Sequence, residues 1–301
     1  MPNLAERSHF LAGKQSAAPV LAKIASFLPD NGFDDPRRDA RHLLGAAIQQ
    51  NEAVMPHEDI DLDHESIDRL LLLIARRAAG EPISRIKGKR EFYGLEFSID
   101  PSTLDPRADS EVIVDTVIDY ASERPEQALT AVDFGTGSGC LILSAAYHIP
   151  QLQGVGVDIQ AQAANMATQN AQSLGLESRV SFITSDWDQE LDTTFDIVIS
   201  NPPYIPQAEL SSLMIEVKDY DPMQALDGGD DGLEAWRQLA AAVSRRLSEG
   251  GIAVFEIGQG QESDVAALMK SQGLSLIEQR CDLSGIIRCL VFAKNQAKIE
   301  A

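Results

Sequence analysis

The amino-acid sequence predicts an α/β protein with a mostly parallel seven-stranded sheet and an antiparallel terminal strand, preceded by a small helical N-terminal domain. From residue 129 onward, short apolar runs alternate with helical patterns, as strands and crossover helices do in a parallel sheet. Between residues 19 and 79 the apolar side chains recur at three- and four-residue spacings, which indicates helices. A length of 301 residues is sufficient for two such domains.

The first part of the chain, residues 1–80, is expected to form a helical bundle. Within it, Asp35-Pro36 predicts a helix start, because aspartate can cap free N–H groups and proline suits the first helical position. Over residues 81–106, glycine and proline interrupt short alternating segments, which indicates a linker that carries a β-hairpin. The α/β domain is then expected to span residues 107–301.

The seven strands are predicted from apolar runs bounded by turn residues. They are expected near residues 130–134, 154–158, 180–184, 195–200, 251–257, 274–280 and 286–293. Only residues 281–285 separate the last two strands, which is too short for a crossover helix. These two strands should therefore pair antiparallel.

The distribution of charge differs along the chain. Residues 1–90 contain 13 basic and 13 acidic side chains, whereas the remaining 12 basic and 33 acidic side chains carry the whole net charge of −21. An acidic second part disfavours binding of a long polyanion, which is held mainly through Lys and Arg, so no direct nucleic-acid contact is expected. The basic cluster of Arg37, Arg38 and Arg41 is open to two interpretations, a solvated surface or a partner contact.

No membrane segment is expected, because the longest apolar run, Leu70 to Ala75, is far shorter than the roughly 20 residues that cross a bilayer. The first residues also lack the apolar stretch of a secretion signal. Cys140, Cys281 and Cys289 have no metal-ligand spacing, so we expect reduced thiols, no metal site and a cytoplasmic protein.

A glycine-rich turn follows the first strand of the α/β domain and leads into a helix. Glycine at positions 135, 137 and 139 allows a sharp bend and close approach of a ligand to the backbone. The spacing is G-x-G-x-G, and Cys140 stands where the dinucleotide pattern has glycine, which disfavours a nicotinamide cofactor. S-adenosylmethionine, unlike a dinucleotide, carries no phosphate, so its methionine part can lie across such a turn.

Polar side chains after the next two strands complete the predicted cofactor site. Asp158 ends the second strand, where a carboxylate can bind ribose hydroxyls, and Asp186-Trp187 follows the third, where it can bind adenine. Taken alone, Trp187 is better interpreted as a core residue. The predicted cofactor-binding residues are Gly135, Thr136, Gly137, Ser138, Gly139, Asp158, Asp186, Trp187 and Asn201.

The tetrapeptide Asn201-Pro202-Pro203-Tyr204 follows the fourth strand and predicts the chemistry. The asparagine side-chain oxygen and the Pro202 carbonyl can both accept hydrogen bonds from one planar NH2 group, whose nitrogen is then aimed at a methyl donor. We therefore predict Asn201, Pro202 and Tyr204 as catalytic residues. The predicted substrate-binding residues are Asn201, Pro202, Pro203 and Tyr204.

In its ordered motifs the chain resembles the release factor glutamine methyltransferase family, within the Rossmann-like methyltransferases. The segments that carry the resemblance are residues 90–94, 106–111, 133–139, 156–158, 185–187, 201–204, 225–233, 250–251, 255–258 and 261. Three sites depart from the family pattern: Asp105, Ala108 and Ser84-Arg85. The departures concern hairpin packing and leave the tetrapeptide intact.

The resemblance implies methyl transfer from S-adenosyl-L-methionine to the glutamine side-chain nitrogen in the Gly-Gly-Gln loop of class I peptide chain release factors, with S-adenosyl-L-homocysteine as product. It also implies that Asn201 contacts both cofactor and glutamine, and that residues 1–80 are the docking domain of a monomer. Two alternatives stay open at this point. These are a ribosomal-protein glutamine methyltransferase and, disfavoured by charge, a nucleic-acid adenine amino-methyltransferase.

Overall fold

A computed structural model describes residues 12–28, 35–282 and 284–295. The expectation that the first residues form no secretion signal concerns a segment outside these ranges. The chain divides into two compact units, Met1–Gly88 and Lys89–Ala301. Across the described residues, no helix is both long and apolar enough to cross a membrane.

The first unit packs its helices around one apolar core that includes Leu43, Leu44 and Leu70. Asp35 caps the second helix as predicted, since its Oδ1 accepts hydrogen bonds from the backbone N–H groups of Arg37 and Arg38. The helices are α1 (Ala17–Ala25), α2 (Pro36–Ala47), α3 (His64–Ala78) and α4 (Ile83–Lys87).

A small sheet in the first unit was not anticipated by the helical-bundle prediction. Strands β1 (Gly13–Ser16) and β2 (Asp59–Leu62) pair antiparallel. In β2 the apolar Ile60 and Leu62 are buried while the two aspartates are exposed, which is the alternation of a strand with one face on the core. The first unit is therefore a helical core with a two-stranded sheet at its side.

The second unit begins with a β-hairpin of strands β3 (Lys89–Phe92) and β4 (Leu95–Ser98). The two turn residues, Tyr93 and Gly94, both have positive φ, at 52° and 72°, as a tight hairpin turn requires. Phe92 and Phe97 pack edge to face with ring centroids 6.3 Å apart and belong to the core of the α/β sheet. The hairpin is therefore anchored to the second unit.

The main sheet has the predicted architecture, with seven strands in the order β10-β11-β9-β8-β5-β6-β7. Strands β5, β6, β7, β8 and β9 run parallel to one another, and β11 is antiparallel to both β9 and β10. The strands are β5 (Leu129–Phe134), β6 (Leu152–Asp158), β7 (Val180–Thr184), β8 (Phe195–Ser200), β9 (Leu247–Glu256), β10 (Leu274–Cys281) and β11 (Ile287–Lys294). The mostly parallel sheet with an antiparallel final pair is confirmed.

Helices cover both faces of this sheet. Along β8, Ile197 and Ile199 join the core beneath α5 and α6, whereas Val198 joins the opposite core beneath α9 and α10. The helices of the unit are α5 (Glu111–Ser122), α6 (Cys140–His148), α7 (Ala161–Ser173), α8 (Ile215–Lys218), α9 (Glu234–Arg246) and α10 (Glu262–Ser271). This layering brings the carboxyl ends of β5 to β8 to one edge.

Candidate functional site

A cavity of about 860 Å³ opens at the carboxyl ends of β5, β6, β7 and β8. This is the edge at which parallel α/β sheets bind ligands. Nine predicted site residues line it: Gly135, Thr136, Gly137, Ser138, Asp158, Asp186, Trp187, Asn201 and Pro203. The predicted residues Gly139, Pro202 and Tyr204 are not among the lining residues.

The glycine turn after β5 presents an open backbone to this cavity. Gly135 and Gly137 have φ of 70° and 55°, and a Cβ atom on either would meet nothing within 4 Å. Glycine is needed at these two positions for the left-handed backbone. Gly139 instead lies at the start of α6, where Leu143, Ala167 and Phe182 would crowd a Cβ atom at 3.0 to 3.2 Å. Gly139 therefore allows the turn to pack closely against neighbouring side chains, and it does not face the cavity.

Asp158 ties the end of β6 to the glycine turn. Its Oδ2 accepts a hydrogen bond from the Gly137 N–H at 2.9 Å, and its Oδ1 accepts one from the Gln160 N–H at 2.9 Å. Burial raises the pKa of Asp158, and these backbone hydrogen bonds oppose that rise. Each carboxylate oxygen keeps a second lone pair, so Asp158 can also accept hydrogen bonds from ligand hydroxyls.

Trp187 is half-buried and held in one orientation. Its Nε1 donates a hydrogen bond to Gln238 Oε1 at 2.8 Å, and its ring meets Phe134 edge to face at 6.2 Å. It thus packs against the core and also lines the cavity. Asp186 beside it is exposed and accepts a hydrogen bond from Gln189 at 2.9 Å. The indole supplies an apolar wall, and the carboxylate a polar rim.

The charged lining of the cavity is acidic. Among the described residues it comprises Asp158, Asp186, Asp227, Glu234 and a single arginine, Arg107. Arg107 is itself paired with the buried carboxylate of Asp221 at 2.5 Å. Such a lining favours a ligand with positive charge and disfavours a pyrophosphate. No group of three or more metal-ligating side chains occurs in the part of the chain that the structure describes.

Asn201 directly follows the last residue of β8, and a neighbouring side chain orients its carboxamide. Its Nδ2 donates to Ser110 Oγ at 3.2 Å, and Ser110 Oγ in turn donates to the Glu256 carboxylate. Because the Ser110 proton is used by Glu256, Ser110 can only accept from Asn201. The amide nitrogen of Asn201 therefore faces Ser110, and its Oδ1 is left as the available acceptor at the cavity.

Tyr204 is enclosed by backbone. A Cβ atom on Gly228 or Gly232 would lie 2.8 or 2.5 Å from main-chain atoms of Tyr204, and one on Gly258 would lie 3.0 Å from its ring. The Tyr204 hydroxyl donates to Glu256 Oε1 at 3.1 Å. Its contact with a substrate, like the catalytic roles of Asn201 and Pro202, stays a prediction.

Sequence reasoning assigned no role to Ser110 or Glu256, which complete this arrangement. Both lie in segments that carry the resemblance, 106–111 and 255–258, and that was the only available indication. Asp105, one of the departures, is buried, where its Oδ1 lies 3.6 Å from Arg90 Nε and its N–H donates to Asp221 at 3.2 Å. The unusual aspartate thus takes part in an ionic cluster on the cavity wall that includes Arg107.

Comparison with known proteins follows the same division of the chain. The PrmC N-terminal domain model matches residues 19–88, and the Methyltransferase small domain model matches residues 110–217. The release factor glutamine methyltransferase of Rhodospirillum rubrum is 40% identical over 300 residues, which cover 98% of this chain and 89% of that protein. The enzyme of the same name from Agrobacterium fabrum is 41% identical over 267 residues, which cover 87% and 92%. This similarity over nearly the full length confirms the resemblance, and the chain belongs to the release factor glutamine methyltransferase family.

Proposed function

We propose that the protein transfers a methyl group from S-adenosyl-L-methionine to the side-chain amide nitrogen of the glutamine in the Gly-Gly-Gln loop of class I peptide chain release factors, leaving S-adenosyl-L-homocysteine. Membership of the family supports the substrate. The orientation of Asn201 is the observation on which the chemistry rests, since Nδ2 is used by Ser110 and Oδ1 is the acceptor that this cavity-lining side chain can offer. An acceptor is what an amide NH2 group requires.

The residues of the cavity suit this cofactor. The open glycine turn leaves room for a ligand that approaches the backbone, and Asp158 retains acceptor capacity for ribose hydroxyls. The acidic lining attracts a cation, and S-adenosylmethionine supplies a methyl group on a positively charged sulfur. Trp187 offers an apolar surface for adenine.

In this proposal Asn201 and Pro202 act on the glutamine amide. Asn201 Oδ1 and the Pro202 carbonyl accept hydrogen bonds from its two N–H groups, which orients the nitrogen towards the methyl group and stabilises the positive charge that grows on it. The N–C bond forms as the methyl–sulfur bond breaks, and the methylated nitrogen then loses one proton to solvent. An amide nitrogen is a weak nucleophile because its lone pair is delocalised, so orientation makes the main contribution. Pro203 lines the cavity, and in this proposal it contacts the substrate beside this position.

The remaining roles are also proposals. Residues 1–80 dock the release factor, residues 81–106 form a linker, and residues 107–301 carry out methyl transfer. The enzyme works as a monomer in the cytoplasm without direct contact to nucleic acid. The acidic cavity supports the last point, since a phosphate backbone would be repelled there.

A labelling experiment tests the proposal against its alternatives. The protein is incubated with methyl-labelled S-adenosylmethionine and, separately, with a release factor, a ribosomal-protein mixture and DNA, and the label is located by mass spectrometry. We expect it on the loop glutamine of the release factor. A release factor with Gln→Leu at that position is the matched control and should stay unlabelled. Label on nucleic acid and on no glutamine would refute the proposal.

A further inference from the structure

We infer that Glu256 is a positioning residue that sets the orientation of the Asn201 carboxamide through Ser110. The inference rests on the proposed function, because it assigns a task to the hydrogen-bond partners of the amide-binding asparagine, of which Ser110 also lines the cavity. Glu256 is 2% exposed and Ser110 is 3% exposed, so water does not compete for their hydrogen bonds. Glu256 does not line the cavity, whereas Asn201 does.

The three side chains form a directed chain of hydrogen bonds. One Glu256 oxygen accepts from Ser110 and the other accepts from Tyr204 at 3.1 Å, which is the arrangement of an ionised carboxylate. Since a serine hydroxyl has one proton, Ser110 can offer only a lone pair to Asn201. Asn201 Nδ2 donates a hydrogen bond to this lone pair, with 3.2 Å between Nδ2 and Ser110 Oγ. The charge on Glu256 thus determines which end of the carboxamide meets the substrate.

The reverse orientation would block the reaction. If residue 256 donated to Ser110, the Ser110 hydroxyl would instead donate its proton to Asn201 Oδ1. The Asn201 NH2 group would then face the NH2 group of the substrate, with donor against donor. A buried donor without an acceptor is destabilising, so the two orientations are not equivalent in energy.

The surroundings of Glu256 act on its ionisation in opposite directions. Burial raises the pKa of Glu256, and the hydrogen bonds from Ser110 and Tyr204 oppose this rise. The charged groups that act on it are Arg288 of β11, which lowers its pKa, and Asp109, which raises it. On balance the pKa of Glu256 is raised, so the assignment of an ionised carboxylate rests on the geometry of the two hydroxyl groups that donate to it.

The test compares steady-state kinetics of Glu256→Gln with the wild-type protein on the release factor. A neutral amide of the same size can donate to Ser110, so we expect kcat to fall roughly tenfold or more, as for loss of one oriented transition-state contact. The KM for the release factor and the Kd for S-adenosylmethionine should change less than threefold. A kcat within twofold of wild type, or a loss confined to KM, would overturn the inference.

A double-mutant cycle with Ser110→Ala separates positioning from general damage. Ser110→Ala should also lower kcat, and adding it to Glu256→Gln should produce no further loss, because both changes interrupt one chain. Additive losses would contradict the mechanism. Ser110→Ala also serves alone if Glu256→Gln does not fold, and a wild-type kcat in it would refute the inference.

Ser144→Ala is the matched control, since Ser144 is a fully buried serine of α6 that does not line the cavity. Its kcat should equal that of wild type. The two proposals fail in different ways. If the wild-type protein leaves the release factor unlabelled, the proposed function is wrong; if it labels the glutamine and Glu256→Gln is equally fast, only the positioning role is wrong.

Discussion

Gly156 of β6 is the position at which one added methyl group should affect both stability and cofactor binding. A Cβ atom there would lie 2.4 and 2.5 Å from two Phe182 ring carbons and 2.7 Å from Thr136 Oγ1. Ordinary contacts between such atoms are about 3.5–4.0 Å, so the neighbours must move by roughly 1 Å.

The magnitude of the effect of Gly156→Ala follows from two opposing contributions. Overpacking of this kind costs about 1–3 kcal/mol, and the lower chain entropy of alanine in the unfolded state recovers about 0.4–1 kcal/mol. A net loss of about 1–2 kcal/mol should lower the thermal midpoint of the second unit by roughly 2–8 °C.

Thr136 connects the added methyl group with the cavity, because it would be displaced by this group and itself lines the cavity. Its hydroxyl donates to Asp133 at 2.7 Å and its N–H donates to Val157 at 3.0 Å, so its position sets that of the glycine turn. Moving it should weaken S-adenosylmethionine binding by about tenfold, which corresponds to about 1.4 kcal/mol. Thermal unfolding and isothermal titration with the cofactor measure the two effects.

Gly154→Ala on the same strand is the matched control. A Cβ atom there would lie 2.6 Å from Ile142 Cδ1, and neither residue lines the cavity. This variant should lose stability and keep its affinity for the cofactor. Unchanged affinity in Gly156→Ala, or an equal loss of affinity in both variants, would refute the reasoning.

Three further changes test other parts of the molecule. Asn201→Ala should lower kcat by about 10²–10³ while cofactor affinity, measured by titration, changes little; an unchanged turnover rate would remove Asn201 from the mechanism. Burial raises the pKa of Asp133 from 3.8 to about 7, so between about pH 4 and pH 7 the native state binds a proton that the unfolded state lacks, and stability falls as pH rises through this window. Asp133→Asn should remove a slope of up to about 1.4 kcal/mol per pH unit from the free energy of unfolding, whereas parallel curves for variant and wild type would contradict the assignment. Charge reversal of the exposed Arg37 and Arg38 should raise the KM for the release factor several-fold at low salt, with kcat maintained; an unchanged KM would favour the solvated-surface interpretation.

The main sheet could be predicted because each of its strands is indicated by a short, continuous stretch of sequence. The runs 129–134 and 195–200 are apolar on both faces, as buried parallel strands must be, and the glycine turn and the tetrapeptide directly follow them. Strand ends in a parallel sheet meet at one edge, so the sequence positions of Gly135, Asp158 and Asn201 were sufficient to predict a shared site.

Other features depend on contacts that no local pattern records. Ser110 and Glu256 are 146 residues apart, and only the fold brings them together. Tyr204 follows Asn201 closely in sequence, but glycines at 228, 232 and 258 enclose it and its hydroxyl bonds to Glu256. The strand β2 was missed because a four-residue alternation is too short to stand out from the helical periodicity around it.

The place of β11 in the sheet has a consequence for synthesis of the protein. Although β11 is the last strand along the part of the chain that the structure describes, it lies between β9 and β10 and pairs with both. On the ribosome, a nascent chain that has emerged as far as Cys281 already carries every predicted site residue, yet the edge of β9 that bears Glu256 is still open to water. Cys289 pairs with Glu256 across the strands, so the backbone edge at Glu256 is covered only when β11 is inserted. The strand edge at Glu256 is therefore completed by a segment that lies far beyond every predicted site residue in the sequence.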